Sequence, residues 1–377
     1  MDILVVTQPA RREGGKTHAY QLLTILSEIA TVSILTANIS ADSSIHDEYD
    51  VTEFASKGIG DSIPRAALQF VLNQIRMCIA IARQDDDIVL FFGATSYAVP
   101  VIFSRLIGKT VVVEPRGNVP LSLRLKWETQ VPGVVARSLA GGLWYVERIS
   151  YHAATAIITY TPSMAEELGL TTFEDKLYTD GARYVDTDTF RPSVDYMERQ
   201  NLVGFVGRLD VEKGIDRIVE VIKHLPDDIG FVFVGGGDYR EMVESELSEE
   251  IALGQVEIKG WVDHDEVPEQ LNRLKLHILI SDPTEGLPTI ILESFACGTP
   301  VYATPVSGVP DLVHENQTGY LMDETSPEAV AEKITTVFNR DDLEPVSSNC
   351  RDLIEERYNL QSSVDRYDRM LRSIHQQ

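Results

Sequence analysis

The amino-acid sequence predicts an α/β protein made of two Rossmann-like units, each a parallel sheet covered by helices. Three observations point there. Short apolar runs alternate with segments of helical period along the chain, the pattern of buried parallel strands joined by covering helices. The series starts twice from a continuous apolar stretch that leads into a glycine-bearing turn, at Ile3-Leu4-Val5-Val6 and at Leu202-Val203-Gly204-Phe205-Val206-Gly207. At 377 residues the chain also exceeds what one core usually organises, so two domains of under about 200 residues each are expected.

In chain order the first series places strands at 3–7, 32–35, 88–92, 110–113, 156–160 and 176–178, with helices between them. The second series places them at 202–207, 230–234, 256–258, 277–280 and near 300–303. The stretch 186–200 is polar, contains proline and lacks periodicity, which reads as a linker. A boundary near Met197 follows, with domains 1–196 and 197–355. From Pro327 onward the pattern is helical, and 359–374 has enough apolar positions to pack one face. The segment 356–377 is expected to close the structure by packing back toward the first domain.

Composition narrows the function. The 44% hydrophobic content suffices for a real core. Against 33 Lys and Arg stand 58 Asp and Glu, a net charge of -25, which argues against a nucleic-acid partner because polyanions are repelled. Only 10 of the 33 cations are Lys, so the sequence reads as adapted to high internal salt, with an ordinary acidic cytosolic enzyme as the alternative. Cys78, Cys297 and Cys350 form no CxxC pair and read as reduced, buried thiols rather than disulfides or a zinc site. The opening Met1-Asp2-Ile3-Leu4 lacks a basic region followed by a long apolar segment, and no stretch approaches ~18 uninterrupted apolar residues. A cytoplasmic protein is expected, with a peripheral position on the inner face of the cell membrane as a variant of that reading.

Two segments carry most of the chemistry. Gly207-Arg208-Leu209, followed by Lys213-Gly214, leaves a strand and opens a helix with apolar positions at Ile215, Ile218, Val219 and Ile222. Two cations thus flank a loop whose amides and helix dipole already favour an anion such as a diphosphate. Taken alone, it reads equally as a turn with solvated Arg and Lys. The second segment, Glu285-Gly286-Leu287-Pro288-Thr289-Ile290-Ile291-Leu292-Glu293, puts Pro where a helix over 290–296 begins. Glu285 then lies in the preceding loop and Glu293 one turn inside. Amides for phosphate and carboxylates for hydroxyls suit a sugar nucleotide; alone, the two acids read equally as partners of a helix dipole.

Taken in order with Gly235-Gly236-Gly237-Asp238, Gly260-Trp261 and Gly298-Thr299-Pro300-Val301, these segments resemble the C-terminal half of the family 4 (group 1) glycosyltransferases, over about 202–321. The resemblance implies the GT-B fold, two Rossmann-like domains facing a central cleft. It implies that Arg208 and Lys213 bind a donor diphosphate, that Glu293 binds ribose hydroxyls and that Glu285 contacts the donor sugar. Gly207, Gly236, Trp261, Gly286, Leu287, Pro288, Thr289 and Ile290 complete the donor site. In the first half, Gly14-Gly15 resembles the family's N-terminal glycine pair, where lack of Cβ lets backbone approach diphosphate and acceptor; alone it is a flexible turn. Glu114-Pro115-Arg116-Gly117-Asn118 resembles the "PRG" loop of enzymes that build polysaccharides and lipid-linked glycans. Many relatives have His where Arg116 stands, so the sugar contact of that imidazole does not carry over. His18, on the first helix, is a candidate acceptor contact with Arg116 and Gly117, or else a surface or packing residue. Asp180-Gly181 followed by Phe190-Arg191-Pro192 loosely matches the family's approach to its linker.

Asp186-Thr187-Asp188 and Asp263-His264-Asp265 imitate the DxD metal motif of the other, single-domain glycosyltransferase fold. Aspartates of this kind belong to turns and helix caps, and no metal or other cofactor is expected. The segment 121–151 mixes Arg124, Lys126, Arg137 and Arg148 with Trp127, Trp144 and Tyr145, which suits a membrane surface and a lipid-linked acceptor, or an ordinary amphipathic helical pair. The absence of Gly-x-Ser-x-Gly and HExxH leaves hydrolase and metalloprotease readings without support. The expected function is retaining transfer of a hexose-type sugar from a nucleoside-diphosphate sugar to a glycan or lipid-linked glycan. The alternatives are a sugar-nucleotide epimerase of the same fold and an inactive nucleotide-sugar-binding partner protein.

Overall fold

A computed structural model describes residues 1–7, 13–37, 45–55, 63–181, 183–284 and 286–376. The chain divides into two compact units, Met1–Arg183 with Ser363–Gln377, and Tyr184–Ser362.

In the first unit the strands β1 (Asp2–Thr7), β2 (Thr31–Ala37), β3 (Asp50–Ala55), β4 (Ile88–Phe92), β5 (Thr110–Glu114), β6 (Ala156–Ile158) and β7 (Leu177–Tyr178) form one parallel sheet. Their order is β3-β2-β1-β4-β5-β6-β7, with Ile3 paired to Val32 on one side and to Ile88 on the other. Because helices cover both faces, the central strands are apolar at every position rather than alternating, and Ile88 to Phe92 are buried throughout. Val89, Phe91, Val111 and Val113 pack against Met77 and Val101 of the covering helices in one core cluster. Each such side chain contributes roughly 1.5–3 kcal/mol by leaving water. β3 was not expected, and its sequence explains why. As an edge strand it is only half-buried, so Asp50-Val51-Thr52-Glu53-Phe54-Ala55 lacks the continuous apolar run that marks the others.

The C-terminal helix Leu360–His375 joins this unit from Ser363 onward. Ser363 Oγ donates to the Arg183 carbonyl (2.8 Å), and the buried Tyr367 hydroxyl donates to the Glu114 carboxylate.

The second unit repeats the plan. Its strands β8 (Leu202–Val206), β9 (Gly230–Val234), β10 (Val256–Gly260), β11 (Leu276–Leu279), β12 (Val301–Ala303) and β13 (Gly319–Leu321) form a parallel sheet ordered β10-β9-β8-β11-β12-β13. In each sheet the order reverses beside the first strand, between β1 and β4 and between β8 and β11, where sheets of this type take ligands. β13, Gly319-Tyr320-Leu321, is an edge strand that follows the polar Asn316-Gln317-Thr318 and was not expected from the sequence.

The boundary is corrected by the structure. It falls at Arg183 and Tyr184, not near Met197, because the polar segment 186–200 is fastened to the second unit. The buried Arg199 donates to the carbonyls of Leu274 (3.1 Å) and Cys297 (2.7 Å), Asn272 bonds Arg191 and Ser193, and Arg351 reaches the carbonyls of Phe190 and Thr187. These partners lie about 70 to 160 residues away in the sequence, beyond the reach of any local pattern. The other end of the second domain differs as well: it runs to Ser362 rather than to residue 355.

Candidate functional site

Because all strands of the second sheet run one way, the loops after Val206, Val234, Gly260, Leu279 and Ala303 emerge at one edge. Hydrogen bonds tie these loops to one another. Gly207 N–H donates to the Val234 carbonyl (2.9 Å), Leu209 N–H to Gly236 (3.0 Å) and Gly235 N–H to Gly260 (2.8 Å). Gly235 has φ +128°, and a Cβ there would lie 2.0 Å from the Gly207 oxygen, so only glycine admits the approach of β8 and β9. The Trp261 indole lies over Gly236 while remaining 68% exposed.

The far end of the 207–214 loop meets the chain after β11. Gly214 turns with φ +62°, and a Cβ on it would lie 2.1 Å from the Ile280 oxygen. Asp282 N–H donates to the Glu212 carbonyl (2.9 Å), and Arg217 Nη2 to the Ile280 carbonyl (2.8 Å). The 207–214 loop therefore lies against residues 280–282, which precede the 285–293 segment in the chain. Arg208, 43% exposed, is held by the Asp210 carboxylate and by Glu212 (2.6 Å), with which an incoming anion would compete. Lys213 is buried at the end of the same loop. Burial first, and the Lys213 charge second, push His277 down to about 3, so this imidazole is neutral and accepts the Val206 N–H at 3.3 Å.

The expected second helix spans Thr289–Ala296, directly after Pro288. Leu287 and Pro288 are buried, Thr289 and Ile290 half-buried, and the Gly286 carbonyl accepts Gly308 N–H (2.8 Å) from the loop after β12. In that loop Ser307 takes φ +53°, an uncommon left-handed conformation for a side-chain-bearing residue. Glu293, one turn inside the helix, is buried, and its Oε1 lies 3.1 Å from His264 Nε2. That hydrogen bond, more than the charge behind it, raises the His264 pKa above its ordinary value, and the imidazole rests against the Phe190 ring at 5.2 Å. The sequence offered His264 only within an apparent metal motif. Glu285 lies outside the described residues.

The candidates of the first half belong to the first unit. Gly14 and Gly15 stand in the first turn of the helix Glu13–Ser27 instead of preceding it, and His18 lies on the same helix. A helix's first turn directs its amides outward, so glycine is tolerated there. Arg116 and Gly117 follow β5, with the Arg116 guanidinium 5.3 Å from the centre of the Phe92 ring and its stem against Gly93. Glu114, buried beside Tyr367, has its pKa pushed up to about 7, chiefly by desolvation. The first aspartate of each DxD-like triplet takes part in local hydrogen bonds. Asp186 accepts from Asp188 N–H (3.0 Å) and Thr189 Oγ1 (2.7 Å), and Glu266 accepts from Asp263 N–H (3.2 Å). Among the described residues no helix is long and apolar enough to cross a membrane.

Residues 186–358 match the family model of glycosyl transferases group 1. Over that stretch, a little under half of its length, the chain is similar to this family. The matched span lies wholly within the second unit, which holds the tied loops. It is 26% identical over 300 residues to a sulfoquinovosyl transferase of Arabidopsis thaliana, covering 75% of this chain and 52% of the plant protein. It thus spans about half the length of that relative. It is 24% identical over 298 residues to an α-D-kanosaminyltransferase of Streptomyces kanamyceticus, covering 75% of each. Among solved structures, the Anabaena protein HepE in complex with UDP-glucose matches with a TM-score of 0.69 at 17% identity, over 99% of this chain and all of that one. With the two parallel sheets, this likeness identifies the GT-B fold.

Proposed function

We propose that this glycosyltransferase moves a hexose-type sugar from a nucleoside-diphosphate sugar to a glycan or lipid-linked glycan, with retention of configuration and without a metal. The observation that carries the reading is that the 207–214 loop, bearing Arg208 and Lys213, lies against residues 280–282, the stretch of chain that leads into the Thr289–Ala296 helix carrying Glu293. Anion-favouring amides, two cations and a buried carboxylate are the groups a diphosphate joined to a ribose requires. The Anabaena neighbour crystallised with UDP-glucose supports this donor class.

In this reading the bond between the anomeric carbon and the phosphate oxygen breaks as the acceptor oxygen bonds to that carbon. Negative charge accumulates on the diphosphate, and Arg208, Lys213 and the amides of Leu287, Thr289 and Ile290 stabilise it. The acceptor hydroxyl attacks from the face the phosphate leaves, and its proton passes to the departing phosphate oxygen. Glu293 holds the ribose hydroxyls, and Glu285 orients the sugar. Arg116, Gly117 and His18 are the acceptor-side candidates. A screen of UDP-, GDP- and ADP-sugars for thermal stabilisation and for nucleotide release with and without acceptor tests the proposal. One sugar nucleotide should stabilise the fold and be consumed only with acceptor. Conversion of the donor without acceptor would establish an epimerase instead.

A further inference from the structure

The first unit carries an apolar face that its own core does not use. On the helix Ile63–Ile81 the exposed side chains include Leu68, Leu72, Ile75 and Ile79, spaced four, three and four residues apart, one stripe of a helix. On the helix Ala98–Leu106, Val99, Ile102 and Leu106 repeat that spacing, with Leu106 80% exposed. On the helix Gly133–Ala153, Trp144, Tyr145 and Ile149 are exposed, and Trp144 meets Tyr145 edge-on at 5.1 Å. The middle helix packs on both others: Val99 N–H donates to Gln74 Oε1 (3.1 Å), and Thr95 bonds Glu147. Singly exposed apolar residues are ordinary, whereas three neighbouring helices with outward apolar stripes mark an interaction surface.

The charge of this region is opposite to that of the chain. Between residues 63 and 153 stand ten Lys and Arg against six Asp and Glu, in a protein of net charge -25. Three of those six acids, Asp86, Glu114 and Glu147, are buried, and burial pushes Glu114 and Glu147 up to about 7, so the solvent-facing excess is more positive still. Arg76 stands beside Ile75, Arg105 beside Leu106 and Arg137 within a turn of Val134, all exposed, and the Arg148 guanidinium lies 4.8 Å from the Trp144 ring centre. Exposed tryptophan and tyrosine beside arginine on an apolar face form the composition that suits the headgroup level of a bilayer.

We propose that this three-helix face docks the protein on an anionic lipid surface. A second copy of the chain fits it less well, since a two-fold contact would set Arg76, Arg105 and Arg137 against the same cations. The overall negative charge does not oppose docking, because beyond a Debye length of about 8 Å it is screened, and the local cations dominate at the surface. The surface reaches beyond the segment 121–151 singled out by sequence, and it stands independently of the donor site.

The test compares the full chain with phosphatidylglycerol vesicles and with phosphatidylcholine vesicles by co-sedimentation. The wild type should partition at least fivefold more onto the anionic vesicles, since each surface cation contributes about fivefold. The charge variant Arg76→Ser, Arg105→Ser, Arg137→Ser should bind both vesicles alike. The apolar variant Ile75→Ser, Ile79→Ser, Trp144→Ser, Tyr145→Ser should bind neither. Both keep thermal stabilisation by donor nucleotide, because none of these side chains belongs to the donor site. Equal, weak sedimentation of the wild type on the two vesicles overturns the proposal. So does a wild-type dimer in sedimentation velocity that the apolar variant abolishes in the absence of any vesicle binding.

Discussion

His264 Nε2 lies 3.1 Å from Glu293 Oε1, so the imidazole on the loop after β10 holds a buried carboxylate one turn inside the helix Thr289–Ala296. Phe190 backs the ring, and Asp265 adds a weaker electrostatic pull toward the protonated form. The pair thus joins two loops of the proposed ribose site through one hydrogen bond, and fixes a side chain that would otherwise have several rotamers.

If Glu293 holds the ribose, His264→Ala should weaken donor-nucleotide binding several-fold while changing kcat much less, and His264→Gln, which keeps a donor, should recover part of the loss. Calorimetric titration with the free nucleoside diphosphate measures it. Unchanged affinity in His264→Ala, with affinity lost in Glu293→Ala, would show that Glu293 needs no help. Loss in neither would remove the ribose assignment itself.

The same pair gives a pH dependence of stability. The folded His264 pKa is raised, so the pair's contribution is complete below the unfolded imidazole value of about 6.5 and is lost as pH rises through the folded value. The gap in unfolding midpoint between wild type and His264→Gln should therefore be open at pH 6 and closed at alkaline pH. A gap that widens on alkalinisation contradicts the pair.

Lys213→Ala and Arg208→Ala remove preorganised positive charge from the proposed leaving group. Each should lower turnover by about a hundredfold or more, the scale for loss of one transition-state donor, with the secondary structure retained. Glu285→Ala should likewise abolish transfer. Steady-state rates with saturating donor measure these effects, and wild-type turnover in any of the three would refute the corresponding role.

Gly235→Ala places a methyl group 2.0 Å from the Gly207 oxygen at φ +128°. The ends of β8 and β9 must then separate. A loss on the order of 1–3 kcal/mol is expected in denaturant unfolding, together with weaker nucleotide binding. A wild-type midpoint would mean that the loops part without cost.

Glu114, buried against Tyr367, titrates at about 7, against an ordinary glutamate value near 4.5. Between those values the unfolded chain releases a proton that the folded chain keeps, so this group's effect on stability is most favourable below about 4.5 and worsens until pH passes 7. Glu114→Gln, which cannot ionise, should gain on the wild type by on the order of 3 kcal/mol over that range. Paired unfolding curves at pH 5 and pH 8 check it, and a pH-independent difference would place an ionised Glu114 in the fold.

Much of the fold was legible because buried parallel strands are apolar at every position. Ile88–Phe92 and Gly230–Val234 begin and end where their apolar runs do. The strands that escaped are those without such a run: β3, half-buried at an edge, and β13, an edge strand that opens on Gly319 after polar residues. The loop carrying Arg208 and Lys213 was legible for a related reason, since a glycine turn between a buried strand and a helix leaves a local signature. His264 was not, because its partner is 29 residues away and no spacing rule joins them.

The sequence by itself determined the periods, the glycine turns and the order of the cations and carboxylates, hence the fold class and the donor-site candidates. Those are local properties, fixed by backbone sterics and by which side chains must avoid water. Only the tertiary structure decided that the segment 184–200 belongs to the second unit, that Gly235 and Gly207 touch, that His264 holds Glu293, and that three helices turn apolar stripes outward. Each of those facts depends on residues brought together across long stretches of chain, where packing and hydrogen bonding select partners that no local pattern records.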